Sequence, residues 1–222
     1  GTSGGGKTTA MRMINRMLDP STGEVLFDGQ NGANLGPIEL RRHIGYVIQN
    51  IGLIPHMTLK ENICLVPKLL KWPKEKQAQR ARELIKLVEM PEDFLSRYPH
   101  EISGGQQQRI GVIRALAADQ KVILMDEPFG ALDPLTREKL QDLVHYLQHD
   151  MGKTIIMVTH DMDEALRLAT RIAVFDQGHI IQSGSPAEII MAAANDFVEE
   201  LIGDDRLNRA KVMLTTADSI ML

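Results

Sequence analysis

The chain has 222 residues, a formal net charge of −4 and a pI near 6.0, a balance that argues against a nucleic-acid binder, whose domain is usually basic. Apolar residues at 43% and charged residues at 24% are ordinary globular composition, enough for one large domain or a domain with a lobe. No apolar run approaches the ~20 residues of a membrane-spanning helix. The single cysteine, Cys64 in ENICLV, has no internal disulfide partner and reads as an inert buried thiol in a reducing compartment.

GTSGGGKTT, residues 1–9, fits the phosphate-binding pattern G-x-x-x-x-G-K-[ST], with Gly1, Gly6, Lys7 and Thr8 at the fixed places. KTTAMRMINRML, residues 7–18, carries Met11, Ile14 and Leu18 at helical spacing and is expected to run up to Asp19-Pro20, since proline cannot continue it. EVLFDG reads as a short strand entering an Asp-Gly turn, and HIGYVIQ as a buried strand stopping at Gln49. The stretch NIGLIPHMTLKENI that follows is apolar and turn-rich. KEKQAQRARELIKLVEM, residues 74–90, predicts an amphipathic helix with Ala78, Ala81, Leu84, Ile85 and Val88 on one side. ISGGQQQRIGVIRALAAD is a glycine-marked helix start. KVILMDE and KTIIMVTH are short apolar strands ending in polar residues, with TREKLQDLVHYLQHDM and DMDEALRLA as helices between and after them. RIAVFDQGHIIQSG predicts a hairpin about Gln177-Gly178. SPAEIIMAAANDFVEELIG predicts one last helix, with Ser185 as N-cap and Pro186 in the first turn.

Strands alternating with helices predict an α/β core with a mainly parallel sheet. Residues from about 50 to 105 read as purely helical and, with the start of the next helix, make a side lobe over about 50–112. Ligands of such sheets sit at the carboxyl ends of the strands. Three strands end there in Gln49, in Asp126 and Glu127, and in His160, and the glycine-rich loop adds a fourth polar segment. Backbone N–H groups of the loop close around phosphate oxygens at the positive end of a helix. Lys7 neutralises phosphate charge and the Thr8 hydroxyl ligates Mg²⁺. Asp126 is placed to hold the metal, and Glu127, one residue on, to polarise an attacking water. The other histidines, His43, His56, His100, His145, His149 and His179, read as structural or solvent-exposed.

ISGGQQQR, residues 102–109, has Ser103 and Gln106 at capping-box spacing. Two glycines just inside a helix cost stability unless something must approach the backbone, as a phosphate does. Here the sequence resembles the ATP-binding cassette ATPases, over residues 1 to about 202. GTSGGGKT resembles Walker A, VILMDE Walker B, and ISGGQQQR the signature motif, with Ile102 where Leu is usual. Gln49 resembles the Q-loop glutamine, ALD (131–133) the D-loop, and His160 the switch histidine. Gly5 stands where Ser is frequent. The resemblance implies a P-loop NTPase core with a helical signature-motif subdomain, spanning 1–202. It also implies a homodimer that sandwiches two ATPs. ATP would be bound by Gly1, Thr2, Ser3, Gly4, Gly5, Gly6, Lys7, Thr8, Thr9, Gln49, Gln106 and Asp133, with Ser103, Gly104 and Gly105 from the opposite copy. Mg²⁺ would be held by Thr8, Gln49 and Asp126, and catalysis carried by Glu127, His160 and Lys7.

Relatives place a strand-rich segment before Walker A, so the chain is expected to be N-terminally incomplete, and residues 203–222 to be a tail or the start of a truncated regulatory region of paired CBS domains. The length between Gln49 and Ser103 leaves no room for long coiled coils, which favours a transport ATPase. GYVIQNIGLIPHMTLKENI, YPHEISGGQQQRIGVIRALA and MDEPFGALDP are similar to importer ATPases of the osmoprotectant branch, which take up glycine betaine, carnitine and choline. Ile51, Leu53, Ile54 and Met57 would receive a coupling helix of a membrane permease, at the cytoplasmic face, in a system fed by an extracellular substrate-binding protein. An amino-acid importer ATPase and a non-catalytic regulatory fragment are the alternatives.

Overall fold

The computed structural model describes residues 4–49, 51–130, 132–204 and 206–207. The chain divides into two compact units, Thr9–Val158 and the pairing of Gly1–Thr8 with Thr159–Leu222.

Helix α1 (Lys7–Ile14) stops short of the expected Leu18. Arg16 turns left-handed (φ 54°) and the Met17 N–H returns to the Arg12 carbonyl at 2.9 Å, a closure that ends the helix ahead of the proline. The Arg16 guanidinium holds this turn against the carbonyls of Gly32, Ala33 and Leu35. Strands β1 (Leu26–Phe27) and β2 (Gln30–Asn31) form a short hairpin about Asp28-Gly29, both with positive φ. Helix α2 (Pro37–His43), absent from the sequence reading, starts on Pro37 at a first-turn position where its missing N–H costs nothing.

Strand β3 (Ile44–Val47) follows directly, then helices α3 (Leu59–Ile63), α4 (Leu65–Leu69) and α5 (Lys74–Leu87) of the helical stretch. Thr58 and Glu61 form a capping box on α3, and the buried Asn62 ties the loop before it by bonds to the carbonyls of Ile54, Met57 and Thr58. Helix α6 (Gly104–Ala115), strand β4 (Val122–Asp126), helix α7 (Pro134–His149) and strand β5 (Thr154–Val158) complete the unit.

Strands β3, β4 and β5 are parallel in that order, with Val47 opposite Met125 and Asp126 opposite Val158. That register brings the ends of β3 and β4, and so Gln49 and Asp126–Glu127, to the same carboxyl edge. Met11, Leu40, Ile44 and Leu124 pack together with Ile14, Phe27, Tyr46 and Val158 against them. Helix α6 lies close on β3: a Cβ on Gly45 would stand 2.2 Å from the Ala115 carbonyl oxygen, so only glycine fits.

In the other unit, helix α8 (Met162–Leu168) precedes the antiparallel pair β6 (Ile172–Asp176) and β7 (His179–Gly184), whose turn is Gln177-Gly178, both left-handed. The expected last helix is two, α9 (Pro186–Met191) and α10 (Asp196–Ile202). Gln182 of β7 brackets the break, donating to the Ala192 carbonyl and accepting from Ala194 N–H, and Asn195 caps α10. Met162, Ile172, Val174, Ile189, Val198 and Ile202 form this unit's core. Residues 208–222, on which the regulatory-region reading mainly rests, lie outside the described residues.

Candidate active site

The sequence-predicted residues fall into both units. Gly1, Thr2 and Ser3 lie outside the described residues, as does Ala131 of the ALD motif. In the unit built from the two chain ends, Gly4 (φ 85°) and Gly6 (φ 92°) take conformations that L side chains rarely adopt, and they turn the loop into α1. Lys7 and Thr8 are the first two residues of that helix, where backbone N–H groups have no intrahelical acceptor. The loop rests on the β6–β7 turn: Gly178 N–H donates to the Gly5 carbonyl at 3.2 Å, and a Cβ on Gly6 would lie 3.3 Å from the Gly178 Cα.

His160 stands exposed in the turn between β5 and α8. Thr159 Oγ1 donates to the buried Glu164 carboxylate at 2.5 Å and accepts the Asp161 N–H at 3.0 Å. Asp161 caps α8 by accepting from Asp163 and Glu164 N–H. These supports of the His160 turn were not singled out from the sequence, although an Asp just before a helical run is an N-cap signal.

In the other unit, Asp126 ends β4 and is 8% exposed. Burial, and next the Asp126 carboxylate, push the Tyr46 hydroxyl pKa up, and Arg12 partly opposes them. Glu127 is left-handed (φ 46°), with its N–H donated to the Val158 carbonyl at 2.9 Å. Its carboxylate accepts from Gln49 Nε2 at 3.0 Å, so two predicted site residues 78 positions apart meet.

Ser103 caps α6 in a reciprocal box: Gln106 N–H donates to Ser103 Oγ at 3.3 Å and Ser103 N–H to Gln106 Oε1 at 2.9 Å. The two glycines that follow differ. A Cβ on Gly104 meets nothing within 4 Å, whereas one on Gly105 would lie 2.7 Å from Thr136 Cγ2. Thr136 N–H also donates to Asp133, which caps α7, and hydrogen bonds from Thr136 hold the Asp133 carboxyl below the usual carboxylate range. Gly105 and Asp133 therefore meet at one threonine that the sequence reading passed over. It also gave no separate role to Gln108, which is buried and donates to the Pro128 carbonyl.

The ABC transporter family matches residues 1–130 by its sequence profile. The chain belongs to this family. The glycine betaine/carnitine/choline transport ATP-binding protein OpuCA of Bacillus subtilis is 59% identical, over 100% of this chain and 58% of that protein. The carnitine transport ATP-binding protein OpuCA of Listeria monocytogenes is 60% identical, over 100% of this chain and 56% of its own length. The osmoprotectant import ATP-binding protein OsmV of Salmonella typhimurium is 52% identical, over 98% and 57%. The chain thus spans somewhat more than half the length of these curated relatives. A solved dimeric structure of the ATP-binding cassette MJ0796 in a post-hydrolysis state, bound to ADP and Pi, superposes with a TM-score of 0.74 at 37% identity, over 83% of this chain and 82% of that one. The α/β fold with its parallel sheet is accordingly that of ABC cassettes.

Proposed function

We propose that this ABC family chain hydrolyses ATP to power uptake of a quaternary-amine osmoprotectant through membrane permease subunits. The single observation that carries the hydrolytic part is Glu127: a carboxylate next to Asp126 at the carboxyl edge of the sheet, oriented by Gln49 at 3.0 Å. The transported class is supported by the names of the relatives, which run to glycine betaine, carnitine and choline. Among the described residues no helix is long and apolar enough to cross a membrane, and work at the cytoplasmic face is assigned to docking on the permease. An extracellular substrate-binding protein would deliver the amine.

In this reading the N–H groups of the Gly4–Gly6 loop and the start of α1 receive phosphate oxygens, and Lys7 neutralises their charge. Glu127 orients and polarises the attacking water, and His160 contacts the terminal phosphate. A second copy faces the first, as in the dimeric MJ0796 cassette. Gly104, open on its Cβ side, takes the approach of the partner's nucleotide. Gln49 carries the change to the permease.

The oxygen donors of Thr8, Gln49 and Asp126 (hydroxyl, amide and carboxylate) suit Mg²⁺. Mg²⁺ takes oxygen ligands and usually keeps several waters beside one or two carboxylates and the phosphates of its nucleotide. Bound there, Mg²⁺ would offset the charge of the phosphates.

The test is ATP turnover by the full-length protein and its Glu127→Gln variant. The variant should bind ATP with near-normal affinity and lose turnover by about 10²-fold or more. Turnover at the normal rate would remove Glu127 from its role. Uptake of labelled glycine betaine, carnitine or choline into vesicles carrying the whole transporter tests the substrate class. Uptake of amino acids alone would overturn it.

A further inference from the structure

Gln108 lies on α6, the helix that Ser103 caps, and is 4% exposed. Its Nε2 donates to the Pro128 carbonyl at 2.8 Å in a buried bond. Pro128 directly follows Glu127, whose left-handed backbone (φ 46°) is an unfavourable conformation for a residue with a side chain. Such a turn persists only where its surroundings over-determine it. On one side Glu127 N–H is held by Val158 O at 2.9 Å. On the other, the return bond from Gly130 N–H to Glu127 O is long, at 3.4 Å. Proline has no N–H, so its carbonyl is the one backbone group by which residue 128 can be fixed. Gln108 supplies that fixing bond, from a residue 20 positions away in sequence.

We propose that Gln108 is a positioning residue for Glu127: by clamping the Pro128 carbonyl it sets the turn that aims the Glu127 carboxylate. The proposal rests on the hydrolytic reading above. It joins two parts that reading treats apart, because the same helix begins with the residues offered to the opposite nucleotide. A glutamine serving only to satisfy a buried carbonyl would affect folding alone. A positioning glutamine affects the chemical step through Glu127.

The experiment uses the full-length protein. Gln108→Met fills much the same space without the donor. Gln108→Asn keeps an amide one methylene short, and serves if the methionine variant does not fold. Both should lower kcat for ATP hydrolysis by about 10- to 100-fold, the cost of a displaced reacting group, with KM for ATP changed less than about twofold. In a Glu127→Gln background, single-turnover hydrolysis should show no further loss, since the effect acts through Glu127. Unchanged kcat in a folded variant overturns the proposal, as does a loss of the same size in the Glu127→Gln background. Absence of ATP hydrolysis by the wild-type protein overturns the hydrolytic reading itself, an outcome distinct from either.

Discussion

Gly104 and Gly105 stand side by side in the sequence and answer to different demands. Gly105 has no Cβ because Thr136 of the same chain occupies that space. Gly105→Ala should destabilise the isolated protein by about 1–3 kcal/mol, the usual cost of overpacking, read from urea unfolding. Gly104→Ala should leave unfolding unchanged or favour the fold by up to about 1 kcal/mol, and instead weaken ATP-driven pairing of two copies, read by light scattering in the Glu127→Gln background. Equal effects of the two changes on unfolding would contradict this division. The candidate site residues could be proposed from the sequence because each motif is a contiguous string whose chemistry is local: a glycine loop with Lys and Thr, or carboxylates after an apolar run. Thr136, Glu164 and Gln108 were not. Their partners come from the folded path of the chain, as with Gln108 and Pro128, or from a turn geometry that composition does not specify.

At the level of elements, the strands of the sheet and the helices α5, α6 and α7 were readable from apolar runs and periodicity, and so were the N-caps Ser103 and Ser185, while the end of α1 and the break between α9 and α10 were not. Helix α1 ends on a left-handed arginine where the sequence shows no glycine, and Leu18, expected on its apolar side, is 46% exposed. The α9–α10 break was hidden by MAAAN, whose alanines favour a continuous helix. The break is set by Gln182 of the neighbouring strand, a tertiary override that no window of local sequence records. Asn195 then starts a new helix. Asn195→Ala should cost about 1 kcal/mol, and Gln182→Leu should loosen the same corner, both read as faster amide exchange across α10.

At the level of the whole molecule, several carboxylates are held below their ordinary range. Glu61 is lowered by Thr58, Asp119 by Lys153, Asp133 by Thr136, Asp163 by Arg206 and Glu188 by Ser185, each through hydrogen bonds. A carboxylate with a depressed folded pKa stabilises the fold above its unfolded value and loses that stabilisation as pH falls through the folded one. These five should therefore leave stability flat through neutral pH and let it fall below about pH 4, which thermal unfolding between pH 7 and 3 would show. Four of them sit at caps or turns, so melting at low pH should begin at helix ends. A loss of stability between pH 6 and 8 would mean that other groups govern the titration.

The sheet also has a practical side. Strand β5 reads TIIMV and, among the described residues, hydrogen-bonds as a strand only with β4, while Ile156 is 36% exposed. Parallel strands are ordinarily covered along their whole length, and an apolar strand bonded along one edge is a template for other chains. Purified on its own, this polypeptide should therefore keep badly at high concentration: turbidity should rise with protein concentration at temperatures well below unfolding. Ile156→Lys, which puts a charge on that strand, should slow the clouding without changing the melting temperature by more than a few degrees.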